Sequence, residues 1–120
     1  MQRNVTVFDD VTVIELTGKL VAGVGDELLA HSLGEAFEQG FRKIVLNLEG
    51  VSYIDSAGVG EIASSLQKTQ ALGARLATTK MGGRVQRVLQ LSQVLPLLDV
   101  HESQQAAIDA LQQPAEAADS

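Results

Sequence analysis

The stretch Val45-Leu-Asn-Leu-Glu-Gly-Val-Ser-Tyr-Ile-Asp-Ser-Ala-Gly-Val-Gly60 constrains the fold more than any other part of this chain. It opens within an uninterrupted apolar run, Ile44-Val45-Leu46, the pattern of a strand covered on both faces. Glu49-Gly50 predicts a short break, and a second apolar approach ends at an acid and a hydroxyl, Asp55-Ser56. Val59, Ile62, Ala63 and Leu66 then recur at helical spacing. A helix is therefore predicted from Ala57 to Leu72, with Ser56 as its N-cap and Gly73 closing it. A buried strand feeding straight into a helix is the unit from which parallel sheets are built.

The remaining chain extends that unit. Val5-Thr6-Val7-Phe8 and Val11-Thr12-Val13-Ile14-Glu15-Leu16 are β-branched runs parted by Asp9-Asp10, which predicts a hairpin. Gly18, Gly23 and Gly25 mark a loop, and Asp26 is the predicted cap of a helix with an apolar face of Leu29, Leu33, Ala36 and Phe37, ending at Gly40. Leu76-Ala77 reads as a short strand. Gly82-Gly83 opens a third helix carrying Val85, Val88 and Leu89, with Pro96 beyond its end. Leu97-Leu98-Asp99-Val100 reads as the last strand, and Ala107, Ile108 and Leu111 as the apolar face of a fourth helix. The order β-β-α-β-α-β-α-β-α defines an α/β domain with a mostly parallel sheet and one antiparallel hairpin strand. The chain shows no internal repeat.

At 120 residues the chain is one domain long and large enough for a real core. With 45% apolar but only 3% aromatic residues, that core must be Leu, Val, Ile and Ala. The chain has no cysteine, which removes disulfides, thiolate metal sites and cysteine nucleophiles together. Nine basic against fifteen acidic residues leave a net charge of −6, a surface that repels nucleic-acid phosphates and anionic lipid. The opening Met1-Gln2-Arg3-Asn4-Val5-Thr6 has no apolar signal segment, and no run reaches the roughly 18 apolar residues of a spanning helix. A cytoplasmic protein is expected, without direct nucleic-acid or membrane partners.

A hydroxyl at the predicted start of a helix sits among free backbone N–H groups at the positive end of the helix dipole. Gly58 and Gly60 share that first turn, where glycine costs about 0.5–1 kcal/mol against alanine. Glycines so placed point to a close backbone approach, by another segment or by a partner. Rival chemistries fit less well. Gly58-x-Gly60-x-x-Ala63 satisfies a relaxed dinucleotide fingerprint, but its glycines lie inside a helix start and the acid expected about 20 residues on is replaced by the Lys80 region. Ser56 as a hydrolytic nucleophile needs a histidine base, and the only histidines are His31, on a predicted helix surface, and His101, near the end of the chain. Two lone histidines make a poor metal site. No catalysis, cofactor or metal is expected. Lys80, Arg84 and Arg87 form the one basic cluster, the latter two on one helix face.

Tyr53-Ile54-Asp55-Ser56-Ala57-Gly58-Val59-Gly60 resembles the signature of STAS domains, specifically the bacterial anti-sigma factor antagonists. The similarity spreads over nearly the whole chain: Val13 to Leu20 looks like the family's second strand and following loop, Ile44 to Leu48 its central strand, and Gly73 to Leu76 the next. Arg84 to Leu91 resembles its third helix and Asp99 to Ser103 the entry to its fourth. The resemblance implies a STAS domain over residues 1–113 and a flexible tail over 114–120. It implies that Ser56 is phosphorylated by an anti-sigma factor serine kinase. The unphosphorylated form would bind that kinase and free the sigma factor, and a serine phosphatase would reset the switch. The implied partner surface is Asp55, Ser56, Ala57, Gly58, Val59, Lys19, Val21, Gly82 and Arg84, and association with a second STAS domain or a second copy of the chain fits the same family. One departure stands out. The loop after the second strand reads Gly18-Lys19-Leu20-Val21 where the family has Gly-Glu-Leu-Asp. Val21 favours a second reading, a STAS scaffold or sensor component that is not phosphorylated; the intact Ser56 favours the switch.

Overall fold

We describe residues 1–114 of the chain from a computed structural model. Strands β1 (Gln2–Phe8) and β2 (Val11–Leu20) form the predicted hairpin, turning at Asp9 with a φ of 56°. Then come α1 (Gly25–Glu38), β3 (Lys43–Ile54), α2 (Ser56–Ala71), β4 (Arg75–Thr79), α3 (Gly83–Leu91), a 3-10 turn at Leu95–Leu97, β5 (Val100–His101) and α4 (Gln104–Gln112). The five strands lie in chain order in one sheet; β1 is antiparallel to β2 and every other pair is parallel. This is the α/β architecture expected from the element order.

Alternation along the strands divides the apolar residues between two faces. Ile14, Leu16, Ile44, Leu46 and Leu48 pack with Leu29 and Leu33 of α1, Ile62 of α2, and Val85 and Leu89 of α3. Val11, Val13, Val45 and Ala77 point the other way and bury Ala107, Ile108 and Leu111 of α4. Each fully buried Leu or Ile contributes about 1.5–3 kcal/mol relative to exposure. Among the described residues no aromatic side chain is fully buried, and Phe37 and Phe41 pack against this core only in part. Arg75 fastens α4 to the sheet, donating to the carbonyls of Ala110, Leu111 and Gln113 at the helix's C-terminal end.

Four local expectations need correction. The Glu49-Gly50 break does not form: β3 runs through it for 12 residues, because the pairing with β2 shifts register between Glu15 and Thr17 and Gly50 fits against Thr17 there. Helix α1 begins at Gly25 with Val24 at the N-cap, and Asp26 lies inside it, accepting from the N–H groups of Gly23 and Glu27. The last strand is only Val100–His101, since Pro96 sits in the 3-10 turn that takes up Leu97. Ser56 is not the cap of α2, as set out below. The tail expected over 114–120 lies outside the described residues beyond Pro114. No helix among the described residues is long and apolar enough to cross a membrane.

Candidate functional site

The C-terminal ends of parallel strands are where α/β sheets leave crevices for ligands and partners. Here β2 and β3 end side by side, with Leu20 paired to Ile54, and the next residue on β3 is Asp55. Asp55 keeps an extended backbone (φ −107°, ψ −175°) and caps α2: its Oδ1 accepts from Gly58 N–H at 2.9 Å. Its Oδ2 accepts from Ala22 N–H at 3.1 Å, and its own N–H donates to the Leu20 carbonyl at 3.3 Å. One residue thus starts the helix and ties down the loop after β2. The Gly58 and Ala22 N–H groups stabilise the carboxylate and hold its pKa below the ordinary value.

Because the acid caps, Ser56 becomes the first residue of α2. It is exposed, and its hydroxyl takes part in none of the side-chain hydrogen bonds among the described residues. Both residues are good caps, so sequence could not rank them; the extended backbone at Asp55 decides the matter. Ala57 and Val59 are half-buried on the same turn. Gly58 differs from the expected partner contact. It is buried, and a β-carbon there would stand 2.7 Å from Cγ1 of Ile54 and closer still to the Leu20 carbonyl oxygen. Its missing side chain admits the chain's own β2 end, not a partner's backbone. Gly60 meets nothing within 4 Å of such a β-carbon.

Lys19, within the end of β2 and not on the loop expected there, and Val21, on the tied-down loop, line a cleft of about 470 Å³ with Ser52, Tyr53 and Arg84. Strand register sets Lys19 directly beside Tyr53, and the first turn of α3 brings in Arg84. Gly82, the N-cap of α3, belongs to a separate depression with Glu49, Lys80 and Met81. Tyr53 is the site residue that sequence reasoning left in the motif without a role. It is the chain's single tyrosine, near the end of β3 and 43% exposed between exposed Ser52 and buried Ile54. Strand periodicity does not mark it as outward, since Val51 two residues before is buried.

The histidines do not supply a base for Ser56. His31 Nε2 lies 3.1 Å from Glu35 on the surface of α1, and His101 Nε2 lies 3.1 Å from Asp99. Among the described residues, no group of three His, Asp or Glu side chains is placed to hold a metal ion. On α2, Glu61 has one carboxylate oxygen shut off from water with no hydrogen-bond partner. Burial raises its pKa, with Lys68 opposing and Asp26 adding to the rise.

A five-stranded sheet with one antiparallel edge, four helices, and an Asp-Ser pair opening the helix after the central strand define the class. The chain belongs to the STAS domain family, which it matches over residues 2–107. It is 30% identical over 101 residues to the anti-sigma F factor antagonist of Lysinibacillus sphaericus, covering 83% of this chain and 85% of that protein. Among solved structures it is similar to the anti-sigma factor antagonist SpoIIAA in its unphosphorylated form, at 26% identity and a TM-score of 0.77 over 92% of this chain and 96% of that one. It is also similar to the Bacillus cell fate determinant SpoIIAA in the phosphorylated form, at 25% identity and a TM-score of 0.71 over 92% of this chain and all of that one.

Proposed function

We propose that this chain is an anti-sigma factor antagonist acting as a phosphorylation-controlled binding switch in the cytoplasm. The observation that carries the reading is the division of labour at α2: Asp55 caps the helix and leaves the Ser56 hydroxyl exposed. A serine engaged in capping would have to leave its N–H partner to be modified, and Ser56 has no such bond to lose. Unphosphorylated, the turn Asp55 to Val59, with Lys19 and Val21 beside it and Gly82 and Arg84 at the start of α3, presents the surface for an anti-sigma factor serine kinase. Gly58 supports that surface from beneath.

Phosphorylation adds about −1.5 to −2 charge and three acceptor oxygens. At the N-terminus of α2 the free domain tolerates this, the dipole returning roughly 0.3–1 kcal/mol. An interface fitted to a neutral hydroxyl does not, because a buried dianion without a cation costs several kcal/mol. Each 1.4 kcal/mol is about tenfold in affinity, so a penalty of this size ends binding. A serine phosphatase resets the switch. The chain itself performs no catalysis; ATP is bound by the kinase.

Incubation with the native kinase and labelled ATP is expected to label wild type and not Ser56→Ala. Equal labelling of both would remove Ser56 from the mechanism. Val21 in place of an acid favours the second reading, a STAS scaffold or sensor that is not phosphorylated, and absence of label in wild type would select it.

A further inference from the structure

The cations of this acidic chain are unevenly employed. Arg3 lies between Ser32 and Glu35, Arg42 donates to the carbonyls of Phe37 and Phe41, Lys43 pairs with Asp10, and Arg75 holds the end of α4. Lys68 faces the field of Glu61 along α2. The remaining four, Lys19, Lys80, Arg84 and Arg87, have no side-chain hydrogen bond or ion pair among the described residues. Two of them, Lys19 and Arg84, line the one cleft that holds Tyr53 and Val21; Lys80 lines the neighbouring depression, and Arg87 follows Arg84 one turn along α3.

We propose that this cleft docks an acidic segment of the partner protein, its carboxylates meeting Lys19 and Arg84 and its aliphatic stems lying on Tyr53 and Val21. The proposal rests on reading the Ser56 end of the sheet as the partner surface and names the chemistry of the partner there. Charge complementarity carries it: on a protein of net charge −6, two unpaired cations at an exposed aromatic form a local inversion of sign. An inversion of this kind selects partners and sets encounter rate more than it adds raw affinity. The exposed apolar flank, with Tyr53 at 43% exposure, suits a peptide better than a bare phosphate group. Lys19 is then a specificity-determining residue, rejecting a partner that presents a cation at this point.

Amide-resolved NMR titration of the full chain with acetyl-(Glu)6-amide tests the proposal, with acetyl-(Lys)6-amide and ATP as comparison probes. Saturable shifts are expected at Lys19, Tyr53 and Arg84 with the acidic peptide. Affinity should fall roughly two- to thirtyfold when both pairs are removed by Lys19→Gln with Arg84→Gln, with spectra otherwise native. The absence of saturable shifts at those amides, or shifts unchanged in the double variant, would overturn it. ATP moving the same amides at lower concentration would also overturn it in favour of a phosphate site. Kinase labelling run beside it separates the two claims. Normal Ser56 labelling with no peptide binding sinks the cleft and keeps the switch; peptide binding without Ser56 labelling keeps the cleft and sinks the switch.

Discussion

Gly58 lies flat against the carbonyl of Leu20, so that the first turn of α2 rests on the end of β2 with no side chain between them. The same carbonyl accepts the Asp55 N–H. The two segments that build the site are therefore held together by contacts that only a glycine permits.

The first prediction follows from that contact. Gly58→Ala should destabilise the domain by about 1–3 kcal/mol, since overpacking against backbone cannot be relieved by a rotamer change. Gly60→Ala, in the same turn and facing open space, should instead stabilise by about 0.5–1 kcal/mol through helix propensity. Urea melts of both variants check this; a neutral Gly58→Ala would show that the β2 end can yield.

A second prediction concerns pH. The pKa of Asp55 is depressed by the Gly58 and Ala22 N–H groups, so its contribution is complete above the carboxylate's unfolded value near 3.9. It is lost as pH falls through the lower folded value. Asp55→Ala should melt below wild type at pH 7, and the gap should narrow steadily below about pH 4. A gap independent of pH would mean that the carboxylate's charge does not matter to the cap.

Glu61 has the opposite sign. Burial raises its folded pKa, so ionising it at neutral pH works against the fold, and the penalty vanishes once both states are protonated. Glu61→Gln should therefore raise Tm at pH 7 and leave it nearly unchanged near pH 3.5. A fall in Tm at pH 7 would show that the carboxylate has a favourable partner.

Much of this is legible from residue order, and the failures have separate local causes. Ile44-Val45-Leu46 suits a strand covered on both sides, and it lies between α4 and the other helices. Apolar spacing on α1, α3 and α4 placed Leu29, Leu33, Val85, Leu89, Ile108 and Leu111 correctly in the core. Glu49-Gly50 reads as a break because a glycine in a strand marks a break or a bulge equally well, and only the partner strand distinguishes them. Leu97 reads as strand from its apolar run, but Pro96 draws it into a 3-10 turn. Asp55 and Ser56 differ by one position and both cap well, so backbone geometry had to choose. The family resemblance groups Lys19, Val21 and Arg84 on one surface, but not Tyr53 with them in a cleft, since those walls come from three elements whose juxtaposition is a property of the sheet order.

The final prediction separates folding from switching at Ser56. As the first residue of α2 with an exposed side chain, it can be replaced by Asp without loss of a hydrogen bond or of packing. A carboxylate in the first helical turn is favoured by the dipole by roughly 0.3–1 kcal/mol. Ser56→Asp should thus melt at or slightly above the wild-type temperature. Its complex with the anti-sigma kinase should nevertheless weaken, because the interface must desolvate a charge where a hydroxyl stood. Ser56→Ala should keep both stability and binding, since the hydroxyl does not hold the helix. Calorimetric titration of the three proteins with the kinase, alongside thermal melts, reads both quantities. Unchanged affinity of Ser56→Asp would end the switch model even if its stability behaved as expected. Lost affinity in Ser56→Ala would show instead that the partner recognises the hydroxyl itself.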